Sequence, residues 1–194
     1  MDWKELERRV FSCRACGLRR SARRPVLGEG ALQADLMLVG EAPGAREDEW
    51  GRPFVGAAGE LLNRILKAAG FSREEVYITN VVKCRPPGNR APTPAEIKEC
   101  RVYLEAQIRL INPKIIVCLG AVATQALIAP GTSITRLRGQ WIEKDGIHYM
   151  PTFHPAALLR DESKKRPVWE DFKKVIFLYR ELRTEQLALG FEHL

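Results

Sequence analysis

Four short apolar runs alternate with longer amphipathic segments along this chain, and no other feature of the sequence restricts the fold as strongly. The runs are predicted to be strands over residues 34–39, 76–82, 115–119 and 148–153. The longer segments are predicted to be helices over residues 3–12, 57–69, 94–111, 121–128 and 167–186. Strands that alternate with helices pair in parallel, because each helix returns the chain to the same end of the sheet. The sequence therefore predicts a single α/β domain over residues 1–194, with a central parallel four-stranded sheet flanked by helices on both faces.

Polar and glycine-rich segments follow three of the four predicted strands. The first strand runs into residues 40–44 (Gly-Glu-Ala-Pro-Gly), the second into Asn80 and the loop to Cys84, and the fourth into His154 and Pro155. The carboxyl ends of parallel strands meet at one edge of a sheet, and ligand sites of α/β proteins gather at that edge. Three loops are therefore predicted to form one site.

The charge of the chain indicates an anionic partner. The sequence holds 31 Lys and Arg residues against 24 Asp and Glu, which gives a formal net charge of +7. Nucleic acid is the leading candidate for such a partner. No apolar run approaches the ~20 residues that cross a bilayer, and residues 1–5 are charged rather than apolar. We therefore expect a cytoplasmic protein that binds no membrane.

Five cysteines indicate a metal or redox group, because the thiols of a protein that is not exported are kept reduced. Cys13 and Cys16 form a C-x-x-C pair, and Cys84, Cys100 and Cys118 follow. Cys118 lies in a predicted apolar strand, where a buried thiol without a metal is expected. The other four thiols suit either zinc or an iron–sulfur cluster.

Four short motifs lie along the chain in addition to the cysteines. They are residues 40–44 (Gly-Glu-Ala-Pro-Gly), 51–56 (Gly-Arg-Pro-Phe-Val-Gly), 79–84 (Thr-Asn-Val-Val-Lys-Cys) and 154–156 (His-Pro-Ala). Each motif is short, but their order and spacing, together with the cysteine quartet, resemble the family 4 uracil-DNA glycosylases. The resemblance covers nearly the whole chain, from Cys13 to the helix beyond His154.

This resemblance implies a monofunctional DNA glycosylase. Such an enzyme flips uracil out of DNA and hydrolyses its N-glycosidic bond, which leaves an abasic site and begins base excision repair of deaminated cytosine. The implied substrate is uracil-containing DNA, either single- or double-stranded. We expect a monomer, with replication or repair proteins as candidate partners.

The resemblance assigns three side chains to the flipped base. Asn80 reads it, since a side-chain amide can accept from uracil N3–H and donate to O4, a pattern that cytosine reverses. Phe54 stacks on the pyrimidine. His154 donates a hydrogen bond to uracil O2, because negative charge develops on the departing base. A loop-capping asparagine, a core phenylalanine and a structural histidine are the alternatives at these three positions.

Two acidic residues near the first motif are assigned to the water and to base selection. Glu41 lies in the motif that activates water in the family, where a carboxylate can orient the water and stabilise an oxocarbenium-like sugar. The backbone amides around Ala42 are an alternative holder of that water, and a purely structural Glu41 is a second alternative. Glu47 is a candidate for excluding the methyl group of thymine.

The segment that begins at the His-Pro motif resembles the loop that enters the DNA minor groove in this superfamily. An apolar wedge there fills the gap left by the flipped base, and both Leu158 and Leu159 are candidates for it. Arg160 and Arg85 are expected to contact the DNA backbone. The basic block of residues 19–24 either does the same or is a solvated face.

The resemblance also selects between the two metal groups. Cys13, Cys16, Cys84 and Cys100 match the family's ligands for a [4Fe–4S] cluster. Zinc stays the alternative, although its sites usually use two close C-x-x-C pairs and the second pair here is separated by 15 residues. Because hydrolysis transfers no electrons, the cluster is expected to be structural and to tie the N-terminal segment to the sheet edge.

Two other classes of protein fit the same fold. One is a catalytically inactive nucleic-acid-binding relative, which would have no need of Glu41, Phe54, Asn80 and His154 together. The other is a covalent uracil-DNA-binding relative, in which a histidine of an inserted basic loop traps the sugar. Residues 45–55 contain no histidine, which argues against the covalent class.

Overall fold

A six-stranded mixed sheet with helices on both faces forms the centre of the protein. The fold is described from a computed structural model, which gives the backbone of residues 1–191 and the side chains of residues 1–184; the last three residues of the domain predicted over 1–194 lie outside this part. The strands are β1 (Glu29–Gly30), β2 (Leu36–Gly40), β3 (Tyr77–Asn80), β4 (Ile115–Leu119), β5 (Ile142–Lys144) and β6 (Ile147–Thr152). They lie side by side in the order β1-β3-β2-β4-β6-β5.

The prediction of a wholly parallel four-stranded sheet is incomplete. The four central strands are parallel, as the alternation of strands and helices predicts. The two edge strands, β1 and β5, run antiparallel to their neighbours. β5 joins β6 through a two-residue turn at Asp145 and Gly146, whose φ angles are 54° and 74°. Asp-Gly is the typical signal of such a hairpin, so the sequence does carry a signal for β5 that the strand–helix alternation misses.

Helices cover both faces of this sheet. Within residues 1–191 they are α1 (Trp3–Ser12), α2 (Leu18–Ser21), α3 (Ala45–Trp50), α4 (Ala57–Ala69), α5 (Pro94–Ile111), α6 (Ala121–Leu127), α7 (Ile134–Leu137), α8 (Pro155–Arg160) and α9 (Lys165–Phe191). The predicted bounds of α1, α4 and α5 are confirmed, whereas α2, α3, α7 and α8 are too short for helical periodicity to reveal them. In this described part of the chain, no helix combines the length and apolar composition that a membrane crossing needs.

Helix α5 begins at its predicted residue because of its cap. Thr93 Oγ1 accepts a hydrogen bond from Glu96 N (3.3 Å), and Glu96 Oε2 accepts one from Thr93 N (2.8 Å). This reciprocal pair satisfies two backbone donors at the helix start, and Pro94 occupies the first helical position. The fixed start matters for the site, because α5 carries Cys100 among its buried residues.

Each face of the sheet is covered by its own apolar core, and β2 contributes to both. Leu36 and Leu38 belong to the core that includes residues of α4, α8 and α9. Met37 and Val39 belong to the opposite core, which includes residues of α5 and α6. A strand buried on both faces reads as a continuous apolar run. The run of β2 is therefore visible in the sequence.

The carboxyl ends of β2, β3 and β6 lie at one edge of the sheet, which is formed by strand ends and not by the outer strands β1 and β5. Gly40 is opposite Asn80 in the register of β2 and β3, and its carbonyl accepts a hydrogen bond from Val81 N at 2.9 Å. At the end of β6, the carbonyl of Thr152 accepts one from Gly120 N at 2.8 Å. The loops that leave β2 and β3 therefore begin side by side, and the loop that leaves β6 begins at the same edge, beyond β4.

Candidate active site

A cavity of about 380 Å³ opens at this edge of the sheet. Six residues predicted from the sequence to form the site line it: Glu41, Ala42, Glu47, Phe54, Asn80 and His154. Arg160 lines the same cavity, whereas Arg85, Leu158 and Leu159 do not. A further part of the wall comes from Pro86, Asn89 and Arg90 in the loop after Cys84. Sequence reasoning missed this wall, although the Pro-Pro-Gly-Asn segment is a recognisable turn signal.

Asn80 lines this cavity and carries an unpaired acceptor. Its side chain is 2% exposed at the end of β3. Among the side chains that the structure describes, Asn80 Oδ1 is the only buried nitrogen or oxygen atom without a hydrogen-bond partner. Leaving a buried polar atom unpaired costs about 1–3 kcal/mol, so such an atom in a cavity wall indicates a ligand that donates to it.

Phe54 holds its aromatic ring in this cavity at the cost of backbone strain. Its φ angle is 52°, in the left-handed region that bulky side chains rarely adopt. The ring lies 5.6 Å from the His154 ring, centroid to centroid, with 27° between their planes. A Cβ atom at Gly40 would come within 2.5 Å of the Phe54 ring and of Asn80 Oδ1. Gly40 is therefore required for this close approach.

His154 is held as a neutral imidazole. It is the N-cap of α8, and its Nδ1 accepts a hydrogen bond from Ala156 N at 3.1 Å. Burial and, to a smaller extent, the nearby charge of Arg160 lower the pKa of His154 to about 4, and Glu47 opposes the shift. Because Nδ1 is an acceptor, the ring proton is on Nε2. His154 can therefore donate from Nε2 at neutral pH.

The two acidic residues at the cavity differ in what they contact. Burial raises the pKa of Glu41, and the charge of Arg160 partly offsets this rise. Glu47 Oε1 accepts hydrogen bonds from Val55 N and Gly56 N (both 2.9 Å), and its Oε2 accepts one from Gly44 N (3.1 Å). Glu47 thus ties two loops together at the cavity wall; a role in excluding thymine stays a prediction.

The two wedge candidates are not equivalent. Leu158 is 1% exposed and belongs to the core that α4 and α9 share, so of the two candidates it is the one that faces the core. Leu159 is 48% exposed and stays a candidate. Arg85 is half-buried, and its Nε donates to Asn89 Oδ1 at 2.7 Å; its contact with DNA phosphate stays a prediction.

A second cavity is lined by Cys13, Cys16, Cys84 and Cys100. These thiols come from three separate segments, which are the end of α1 with its following loop, the loop after β3, and α5. Ala15 N donates to Cys13 Sγ (3.5 Å) and Lys83 N to Cys100 Sγ (3.3 Å). Within the described residues, no group of three or more His, Cys, Asp or Glu side chains is arranged to hold a metal ion.

Cys118 is separate from these four thiols. It is fully buried in β4, in the core beneath α5 and α6, and it does not line their cavity. The expectation of a buried thiol in a strand is confirmed.

Lys83 connects the cysteine cavity to the candidate active site, and sequence reasoning missed it. Its side chain is 1% exposed, and its Nζ donates to the Asn80 carbonyl (2.6 Å) and to Thr79 Oγ1 (2.8 Å). Burial lowers the pKa of Lys83 to about 7, while Cys100 opposes the shift. Among the described side chains, no carboxylate lies within 4.0 Å of it. A lysine in the apolar run Val-Val-Lys-Cys is the sequence signal for this burial.

Comparison with known proteins identifies the family. The model of the uracil DNA glycosylase superfamily matches residues 27–173. A type-4 uracil-DNA glycosylase of Thermotoga maritima is 49% identical over 170 residues, which cover 86% of this chain and 88% of the relative. A type-4 enzyme of Sulfurisphaera tokodaii is 46% identical over 89% of this chain and 82% of its own. A type-5 uracil-DNA glycosylase of Pyrobaculum aerophilum is less similar, at 34% identity over 70% of this chain and 67% of its own. The chain belongs to the uracil DNA glycosylase superfamily, as a member of its type-4 family.

Proposed function

We propose that this protein removes uracil from DNA by hydrolysing the N-glycosidic bond of a flipped nucleotide, the activity that names its type-4 relatives. The observation that carries the proposal is the unpaired, buried Oδ1 of Asn80 in a cavity that Phe54 and His154 also line. An acceptor, an aromatic face and a neutral donor are the groups that a uracil ring requires. The proposed roles follow from the chemistry of each group.

Asn80 is the group that selects the base. Uracil carries a donor at N3–H and an acceptor at O4, whereas cytosine carries an acceptor at N3 and a donor at its 4-amino group. Oδ1 is the buried atom of the Asn80 amide, so it needs the donor that uracil supplies. With cytosine in the same position, two acceptors would face each other in a buried site, and the lost pairing is costly.

Phe54 and His154 act on the base in the ground state and the transition state, respectively. The ring of Phe54 offers a face for stacking, which contributes about 1–3 kcal/mol per base in other nucleic-acid-binding proteins. As the bond from C1′ to N1 breaks, its electron pair moves into the uracil ring and reaches O2. The Nε2–H of His154 is a fixed donor that stabilises this anion.

Glu41 is the proposed acceptor for the attacking water. The water oxygen forms a bond with C1′, and the released proton passes to the carboxylate of Glu41 or to solvent. The negative charge of that carboxylate also stabilises an oxocarbenium-like sugar. The backbone amides around Ala42 line the same cavity and are the alternative holder of this water.

The DNA itself is proposed to lie across the mouth of the cavity. Arg160, at the end of α8, lines the cavity and is exposed, which suits a phosphate contact. Leu159 is beside it and is also exposed, so it is the side chain that would fill the gap in the stack. Arg85 is a second proposed backbone contact.

Cys13, Cys16, Cys84 and Cys100 are proposed to hold a [4Fe–4S] cluster. All four thiols line one cavity, which supports a ligand set shared by one group, although within the described residues they are not arranged to hold a metal ion as they stand. Lys83 also lines this cavity, and its backbone N donates to Cys100 Sγ at 3.3 Å, a contact that suits a thiolate ligand. When bound, such a cluster supplies a cross-link between α1, the Cys84 loop and α5, and hydrolysis requires no redox step from it.

The cluster assignment predicts a brown protein with broad visible absorbance when it is prepared anaerobically. Cys100→Ala is expected to lose this absorbance and to reduce solubility, because it removes one of four ligands from a buried site. Cys118→Ala is the matched control and should keep the full absorbance, because Cys118 does not line the cavity. Metal analysis that finds stoichiometric zinc and no iron would contradict the assignment.

Turnover on uracil-containing DNA is the result expected for the proposed function. Free uracil should accumulate beyond one equivalent of protein, because water, not the protein, accepts the sugar. The same DNA with cytosine or thymine in place of uracil is the control and should release no base. A stable protein–DNA adduct would indicate a covalent relative, and binding without release or adduct would indicate a non-catalytic binding protein; either result would contradict the proposal.

A further inference from the structure

Phe54 cannot hold its position through its own backbone preference. Its φ angle of 52° is unfavourable for a residue with a large side chain, yet the ring is 5% exposed and lies beside His154. The carbonyl of Phe54 is also pressed against the first turn of α4, since a Cβ at Gly59 would lie 1.9 Å from it. Strain of this kind persists only where neighbouring groups enforce it.

Arg73, in the turn between α4 and β3, supplies the enforcing contacts. Its Nη2 donates to the Pro53 carbonyl (2.7 Å), and its Nη1 donates to the Phe54 carbonyl (3.2 Å). The same Nη1 donates to Asn63 Oδ1 of α4 at 2.8 Å. One guanidinium therefore holds two consecutive carbonyls of the strained segment and fixes them to a helix.

A carboxylate on the edge strand fixes the guanidinium in turn. Arg73 Nε donates to Glu29 Oε1 of β1 at 3.3 Å, and the Arg73 side chain is only 15% exposed. Glu29 also accepts two hydrogen bonds from Arg52, at 2.6 and 2.8 Å. The hydrogen bonds from Arg52 hold the pKa of Glu29 below its usual value. The segment before Phe54 is thus held from both ends by one ionic network.

We propose that Arg73 is a positioning residue for uracil excision, which holds the strained backbone of Phe54 so that its ring faces the flipped base. The inference rests on the proposed function, because Phe54 is the group through which Arg73 would act. Arg73 does not line the active-site cavity, so it touches neither the base nor the water. Lysine cannot replace it, because an ammonium lacks the planar fork that reaches two carbonyls, an amide and a carboxylate together.

Arg73→Lys is expected to slow single-turnover excision about 10-fold, because displacement of a substrate-positioning group carries a cost of this order or more. In a Phe54→Leu background the same substitution should change the rate by less than about 2-fold, since the ring through which it acts is gone. A general loss of folded protein would instead lower the rate equally in both backgrounds. Arg101→Lys is the matched control and should leave the rate unchanged, because among the described side chains Arg101 pairs only with Glu105, on the surface of α5.

A second measurement follows Phe54 without using activity. In protein labelled with fluorophenylalanine, the Phe54 resonance can be assigned by its loss in Phe54→Leu. Arg73→Lys is expected to shift or broaden this resonance and to leave the resonances of the exposed Phe11 and Phe177 unchanged.

The outcomes separate this inference from the proposed function. An equal rate loss in both backgrounds, or an unchanged rate with an unchanged Phe54 resonance, would overturn the role of Arg73. If the unsubstituted protein released no uracil, the proposed function would fail. The resonance alone would then decide whether Arg73 positions Phe54.

Discussion

His154→Ala is expected to slow single-turnover excision of uracil by about 10²–10³-fold, the typical cost of removing one preorganised donor to a developing anion. The structure supports the donor role, because the Ala156 amide occupies Nδ1 and leaves Nε2–H as the donor. The interaction forms as the bond breaks, so its loss should affect the chemical step. Affinity for uracil-containing DNA should change much less, since it depends mainly on phosphate contacts and stacking. The measurement is the single-turnover rate beside DNA binding at one fixed salt concentration.

His148→Ala is the matched control for this substitution. His148 lies in β6, next to Trp141, and does not line the cavity, so its loss should leave the rate close to that of the unsubstituted protein. A His154→Ala protein that cleaves at nearly the normal rate would make His154 structural. Equal loss of binding and rate would make it a DNA contact or a folding residue. Only a loss of rate with binding retained supports the assigned role.

The protonation state of His154 provides an independent check of the same role. Its pKa is lowered from 6.5 to about 4, so the imidazole stays neutral as the pH falls through 6.5 and gains a proton only near 4. Nitrogen NMR of labelled protein at pH 6 should therefore show a neutral ring with the proton on Nε2. A doubly protonated ring at that pH would contradict a neutral donor.

The location of the site could be predicted from the sequence because it depends on strand order and strand ends. β2, β3 and β6 are apolar runs that end in polar or glycine-rich residues, and parallel pairing brings those ends to one edge. Asn80 and His154 follow directly from this reasoning, since each lies at or just after a strand end. The start of α5 follows from a local signal, the reciprocal cap of Thr93 and Glu96.

Features that depend on contacts between distant segments could not be predicted in this way. Leu158 and Leu159 are neighbours in a six-residue helix, too short to show which side faces the core. Arg73 donates to the Pro53 carbonyl, 20 residues away in the sequence, and no local sequence pattern indicates that contact. Lys83 is a basic residue within an apolar run, but only the fold shows that its Nζ donates to the Asn80 carbonyl.

Asn80→Asp is expected to weaken the preference of the site for uracil over cytosine. A carboxylate has no N–H to donate to uracil O4. Its second oxygen is an acceptor and would face O4, which is also an acceptor. A protonated carboxyl group, which burial favours, can donate to N3 of cytosine while its other oxygen accepts from the 4-amino group. Excision of uracil should fall by about 10- to 10²-fold, the equivalent of one unpaired buried polar group. The measurement is the single-turnover rate on matched oligonucleotides that carry uracil or cytosine at the same position.

Asn112→Asp makes the same chemical change away from the site and is the control. Asn112 ends α5 in the left-handed conformation that Asp also tolerates, at the edge opposite the cavity, just before β4. The rate on uracil should therefore be unchanged in this variant. Unchanged uracil kinetics in Asn80→Asp would mean that Asn80 does not read the base, and its unpaired Oδ1 would then need another ligand. A slower rate on uracil with an unchanged ratio of the uracil and cytosine rates would assign Asn80 to binding the base but not to discrimination, because specificity is the difference between the two substrates.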